Sequence, residues 1–105
     1  MKINVLGTTY TIKSDVKRAD DPILADADGY IDYSTKEIVV EVLNPDVDTF
    51  KDMKSYKNKV IRHELVHAFL YESGMSDYAG DETIVDWLAI QVPKIAEVFN
   101  EHEVM

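Results

Sequence analysis

The chain has 105 residues, 46% of them hydrophobic and 30% charged, with four glycines, three prolines and no cysteine. It is therefore expected to form one domain over residues 1–105 with a core of its own, which excludes a disordered chain, a disulfide framework, a thiolate metal site and a thiol nucleophile. A net charge of −9, no apolar run near the roughly 20 residues of a bilayer span and no secretory leader at the N-terminus predict a soluble, cytoplasmic protein with neither a nucleic-acid nor a membrane partner.

Residues 2–6 and 8–14 alternate between apolar and polar and predict a hairpin, with Gly7 and Thr8 at its turn. Residues 15–28 are acidic and rich in turn formers, which predicts a loop. A short strand follows at 30–33, then a turn at Ser34 and Thr35. Residues 36–43 give the clearest strand, with Ile38, Val40 and Val42 on one face and Glu37, Val39 and Glu41 on the other. Asn44 and Pro45 end the sheet. From about residue 48 the period becomes helical and runs to 72, with Asp46 or Asp48 as a cap and Ser73-Gly74 as the stop. Between Val60 and Leu70 the apolar residues point all round the axis, which predicts a buried helix. Residues 75–80 read as a short loop. A second helix begins between Asp77 and Asp81 and runs to about residue 100. Its stripe of Val85, Leu88, Val92, Ile95 and Phe99 is spaced 3-4-3-4 as a packing face, and Pro93 within it predicts a kink. Strands first and helices after predict an α+β fold, with about four N-terminal strands packed on two long C-terminal helices.

The first helix contains His63-Glu64-Leu65-Val66-His67. His63 and His67 are four apart and project from one face about one turn apart. That placement suits a Zn²⁺ ion bound by two neutral imidazoles, with Glu64 beside them to reach a water without being a ligand. The other reading is a pair of core histidines. It leaves two imidazoles and a carboxylate in an apolar stretch, which costs several kcal/mol unless they are paired or metallated. A catalytic zinc site wants a third protein ligand, and no histidine follows shortly after His67. Glu82 and Asp86 stand four apart at the start of the second helix, with Ala89 one turn further as a small residue that lets the helices approach. Glu82 is expected as the third ligand, and Asp86 as the acceptor of a histidine's free ring N–H. Asp77 and Asp81 are the fallback ligands.

His63-Glu64-x-x-His67 followed by Glu82-x-x-x-Asp86 resembles the pattern of the gluzincin metallopeptidases. The size is similar to that of the minimal members of that class, the minigluzincins, and of small phage and prophage proteins of this type. The matched motifs span residues 63–86, and fourteen residues separate His67 from Glu82, which leaves little room for a substrate-binding insertion. The resemblance implies a zincin-like fold and a zinc endopeptidase acting on a peptide or protein. In it, Glu64 is the general base toward a metal-activated water, and a tyrosine hydroxyl, Tyr78 first and Tyr71 second, steadies the oxyanion. It also implies a substrate strand along a sheet edge, one of the two strands in residues 30–43 and 36–43 by preference. The alternatives are a silent zincin scaffold of phage origin that acts as a binding or regulatory module, and a latent peptidase whose His102 folds back as a ligand; for His102 a frayed terminal turn is the preferred reading.

Overall fold

A computed structural model describes residues 1–42 and 53–105. The end of the strand expected at 36–43, the Asn44-Pro45 break and the first helix's start with its caps Asp46 or Asp48 lie outside the described residues. The architecture is α+β. Strands β1 (Lys2–Val5), β2 (Thr8–Val16), β3 (Gly29–Asp32) and β4 (Glu37–Glu41) precede three helices: α1 (Met53–Glu72), α2 (Ser76–Ala79) and α3 (Glu82–Glu101).

The sheet order is β1-β2-β4-β3. β1 and β3 pair antiparallel with β2 and β4, and the two central strands run parallel. The β1–β2 turn is Leu6-Gly7 rather than Gly7-Thr8: Val5 pairs with Thr8, and Leu6 and Gly7 both take positive φ. A two-residue hairpin that follows the sheet's twist requires this of both turn residues. The substrate-edge expectation changes with the strand order. The strand at 36–43 is interior, so the edge that faces the site is β3.

Ile38 and Val40 are fully buried, as their alternation predicts, in one cluster with Val5, Tyr10, Ile12 and Ala68. Val39, on the opposite face, is buried as well. The segment expected as a plain loop contains two 3-10 turns, Arg18–Asp20 and Pro22–Ala25. The second turn buries Leu24 and packs on β3. Asp21 beside it accepts a 2.5 Å hydrogen bond from the Tyr30 hydroxyl.

Helix α1 lies on the sheet, with Val60, Ile61 and Leu65 against the core. It is not buried all round. Phe69 is 45% exposed, and Val66 and Leu70 are half-buried. The sheet takes one face, and Val66, Phe69 and Leu70 line an open apolar groove that α1 shares with α3. Gly29 lets α1 come close to β3: a Cβ there would stand 2.9 Å from Val60 Cγ1 and 3.0 Å from the Val39 carbonyl oxygen. At its far end α1 is tied down through Glu72, which accepts from Thr8 Oγ1 (2.7 Å), Tyr10 Oη (2.8 Å) and Lys36 Nζ (3.2 Å).

The expected loop at 75–80 contains the single turn α2. Asp81 then caps α3, its Oδ1 accepting from the backbone N–H groups of Thr83 (3.0 Å) and Ile84 (3.2 Å). Val85 and Ala89 of α3 are buried, and the Ala89 carbonyl accepts from Arg62 Nε of α1 at 3.1 Å. Only the first half of the expected stripe packs. Val92, Ile95 and Phe99 are 46, 38 and 42% exposed.

Candidate metal centre

The i, i+4 spacing on α1 brings His63 and His67 to the face that meets the start of α3, with ring centroids 5.0 Å apart. Asp81 spends its side chain on the helix cap, so the next residue, Glu82, opens α3 beside both rings. His63 Nε2 lies 2.8 Å from Glu82 Oε2, and His67 Nε2 lies 3.1 Å from Glu82 Oε1. One donor atom from each of the three residues can be chosen so that all lie within 4.8 Å of one another. The two fallback residues are absent from this group: Asp81 caps α3, and Asp77 sits in the first turn of α2.

The other ring nitrogens are engaged elsewhere. His67 Nδ1 donates to the Ala79 carbonyl of α2, and His63 Nδ1 stands 3.5 Å from Asp86 Oδ1. A proton on the Nδ1 of His67 leaves a lone pair on its Nε2, facing a carboxylate oxygen. Two acceptors in contact repel unless the ring takes a second proton or a cation stands between them. Two imidazole nitrogens and a carboxylate, with Nδ1 held by outer partners, are the donor set that suits Zn²⁺. The residues therefore fit the ion that the sequence implies.

Glu64 is 6% exposed. Burial raises its pKa above the ordinary carboxylate value; His67 and His63 oppose that shift, and the charge of Glu82 adds to it. Glu64 faces two clefts. One, of about 350 Å³, runs past Asp28, Gly29, Tyr56, Lys59 and His63. The other, of about 290 Å³, is lined by β3 residues Gly29 to Ile31 and by Tyr33, His67, Ala79 and Gly80. Gly29, Glu64 and Glu82 line both, so the two clefts meet along the β3 edge.

Tyr78 lines neither cleft and is 48% exposed. The tyrosine that shares a cleft with Glu64 and His67 is Tyr33, in the β3–β4 turn. Its Oη lies 3.5 Å from the Ala79 carbonyl that also receives His67 Nδ1–H. Tyr71, the second candidate, stacks on the Tyr33 ring at 4.2 Å with 13° between the planes, and Lys36 Nζ lies 4.8 Å from the Tyr71 ring. Burial, and then the charges of Glu64 and Glu82, raise the Tyr33 pKa, so the phenol keeps its proton. The turn that carries Tyr33 is held by Asp32 Oδ1, which accepts from Ser34 and Thr35.

His102 does not reach the centre. It follows the last turn of α3, exposed, with its N–H bonded to the Val98 and Asn100 carbonyls. The helix between it and Glu82 is about 30 Å long. Tyr33, Gly29 and the Ala79 carbonyl are the site features that the sequence reading missed. Gly29 and Tyr33 carry a signal only once β3 is known to be the edge strand.

No protein-family model, curated protein or solved structure matches the chain.

Proposed function

We propose that the chain is a zinc-dependent peptidase of gluzincin type, with His63, His67 and Glu82 as the metal ligands and Glu64 as the general base. The observation that carries this reading is the meeting of two imidazole Nε2 atoms with the two oxygens of one carboxylate, while their Nδ1 atoms face Ala79 and Asp86. Zinc bound there supplies Lewis acidity toward a water and a peptide carbonyl.

The protein's own groups do the remaining work. An extended peptide lies along the β3 edge, where the two clefts meet. Glu64, made more basic by burial, takes a proton from the attacking water and returns it to the leaving amine. Tyr33, kept protonated, donates a hydrogen bond to the oxygen on which charge develops. Asp86 and the Ala79 carbonyl hold the rings of His63 and His67 in one tautomer and orientation.

The test pairs metal content with turnover. Purified protein supplied with zinc is expected to hold about one ion per chain, and His63→Ala and Glu82→Ala are expected to lose it. Glu64→Gln is expected to keep the metal and to lose cleavage of a peptide library by at least ~10²-fold. A wild-type protein that takes up no zinc overturns the reading. So does loss of zinc in Glu64→Gln alongside its retention in Glu82→Ala.

A further inference from the structure

Lys59, His63 and His67 occupy successive turns on one face of α1, four residues apart. Lys59 is half-buried and lines the cleft of about 350 Å³ together with His63, Glu64 and Gly29 of the β3 edge. The other basic side chains are either paired or in solvent. Lys13, Arg18, Lys36 and Lys57 pair with carboxylates, and Arg62 donates to the Ala89 carbonyl. Lys2, Lys17, Lys54 and Lys94 have no partner among the described residues, but all of them are exposed. Lys59 has none among the described residues either, yet it is drawn partly out of solvent. A cation that is partly desolvated and unpaired is costly, and a carboxylate brought by a ligand offsets that cost.

The carboxylates of the same cleft are already engaged. Asp28 accepts from the Tyr56 hydroxyl, Glu82 meets the Nε2 atoms of both histidines, Asp86 faces His63 Nδ1, and Glu64 is buried. The group with hydrogen-bonding capacity to spare is the Lys59 ammonium, which is a donor only. We infer that Lys59 determines specificity by binding a carboxylate of the peptide substrate, from an acidic side chain or from a free C-terminus. The inference rests on the peptidase reading and adds the substrate class to it. Lys59 stands about 6 Å along the helix from His63, and an extended peptide advances about 3.3 Å per residue, so the carboxylate belongs about two residues from the bond placed at His63 and Glu64. A net charge of −9 gives an acidic peptide no general attraction to this chain, so a preference for one must come from a local cation.

Peptide binding read without turnover tests this. The full chain carrying Glu64→Gln is supplied with zinc and titrated, with amide chemical shifts as the readout. The ligands are end-blocked alanine peptides with one Glu, Gln or Lys at each position in turn, and the Gln peptides with a free C-terminal carboxylate. The Glu peptides or the free-carboxylate peptides are expected to bind about 10-fold more tightly than the blocked Gln peptides, and which of the two does so identifies the source of the carboxylate. Lys59→Gln is expected to erase the preference, Lys59→Arg to keep it and Lys59→Glu to transfer it to the Lys peptides, each with the zinc content and melting of the parent. Lys54→Gln, which alters an exposed lysine of the same helix outside the cleft, is expected to bind like the parent. Equal binding of the acidic and the blocked neutral peptides, absence of binding to either included, overturns the inference. So does a preference for the Lys peptides, or one for the acidic peptides that survives Lys59→Gln. Zinc uptake without the preference leaves the peptidase reading standing while the inference falls, and a preference carried by Lys59 in a chain that takes up no zinc does the reverse.

Discussion

At the scale of single residues, the centre divides into groups fixed by helix spacing and groups fixed by tertiary register. His63, Glu64 and His67 were legible in the sequence because a helix sets their mutual placement over one turn. Glu82 and Asp86 were legible for the same reason, once a second helix was assigned. Tyr33 was not. Its place in the cleft that Glu64 lines follows from β3 being the edge strand, from the Asp32 turn, and from the stack on Tyr71, whose ring Lys36 Nζ also approaches. Tyr78 is the first candidate by its place in the loop between the helices, but position along the chain does not decide which hydroxyl a cleft receives. The stack and the shared Ala79 carbonyl hold Tyr33 in place. Tyr33→Phe is therefore expected to leave zinc content and melting nearly unchanged and to lower kcat by about 10²-fold with little change in KM, the signature of a donor used in the transition state. Tyr78→Phe is the control and is expected to cleave like wild type. The reverse outcome for the two variants returns the role to Tyr78.

At the scale of elements, alternation showed which residues of a strand share a face but not which strands are neighbours. The strand at 36–43 has the strongest pattern, and the resemblance implied it as the edge in preference to 30–33, which is the edge strand β3. A strand buried on both faces is better suited to the interior, and Val39 reveals this: it sits on the nominally polar face and is 5% exposed. In α1, apolar residues all round the axis did not mean burial all round, because the groove toward α3 uses them as an open surface. β3 and α1 approach closely beside the centre, and Gly29 permits it. Gly29→Ala sets a methyl group against the side chain of Val60, which can shift, and the carbonyl of Val39, which cannot shift without disturbing the β3–β4 ladder. Overpacking of this kind costs roughly 1–3 kcal/mol, and a denaturant titration is expected to show a loss in that range. Glu64 Cγ lies 3.7 Å from the same point, so displacement of β3 also shifts the base relative to the edge strand. A variant as stable as wild type would mean that the strand and helix have slack at this junction.

At the scale of the whole molecule, the ligands and the core belong to different parts of the fold. The main cluster of Val5, Tyr10, Ile12, Ile38, Val40 and Ala68 joins the sheet to α1 and contains none of the three proposed ligands. α3 is attached through Val85, Ala89, the Arg62 contact and Glu82. Zinc bound by two residues of α1 and one of α3 would fasten the second helix to the first. A ligand that binds only the folded state adds RT ln(1 + [L]/Kd), about 4 kcal/mol when free zinc stands at 1,000 times its Kd. For a domain near 100 residues each kcal/mol moves the midpoint by about 4–8 °C, so chelation is expected to lower Tm by roughly 15 °C or more, reversibly. Because the sheet and α1 keep their own core, the apo chain is expected to remain folded at room temperature, with faster amide exchange in α3 than in β2 and β4. His67→Ala is expected to melt like the chelated wild type and to be insensitive to added zinc. A melting curve unmoved by chelator, in protein shown beforehand to contain zinc, would mean that the ion sits somewhere other than between these two helices.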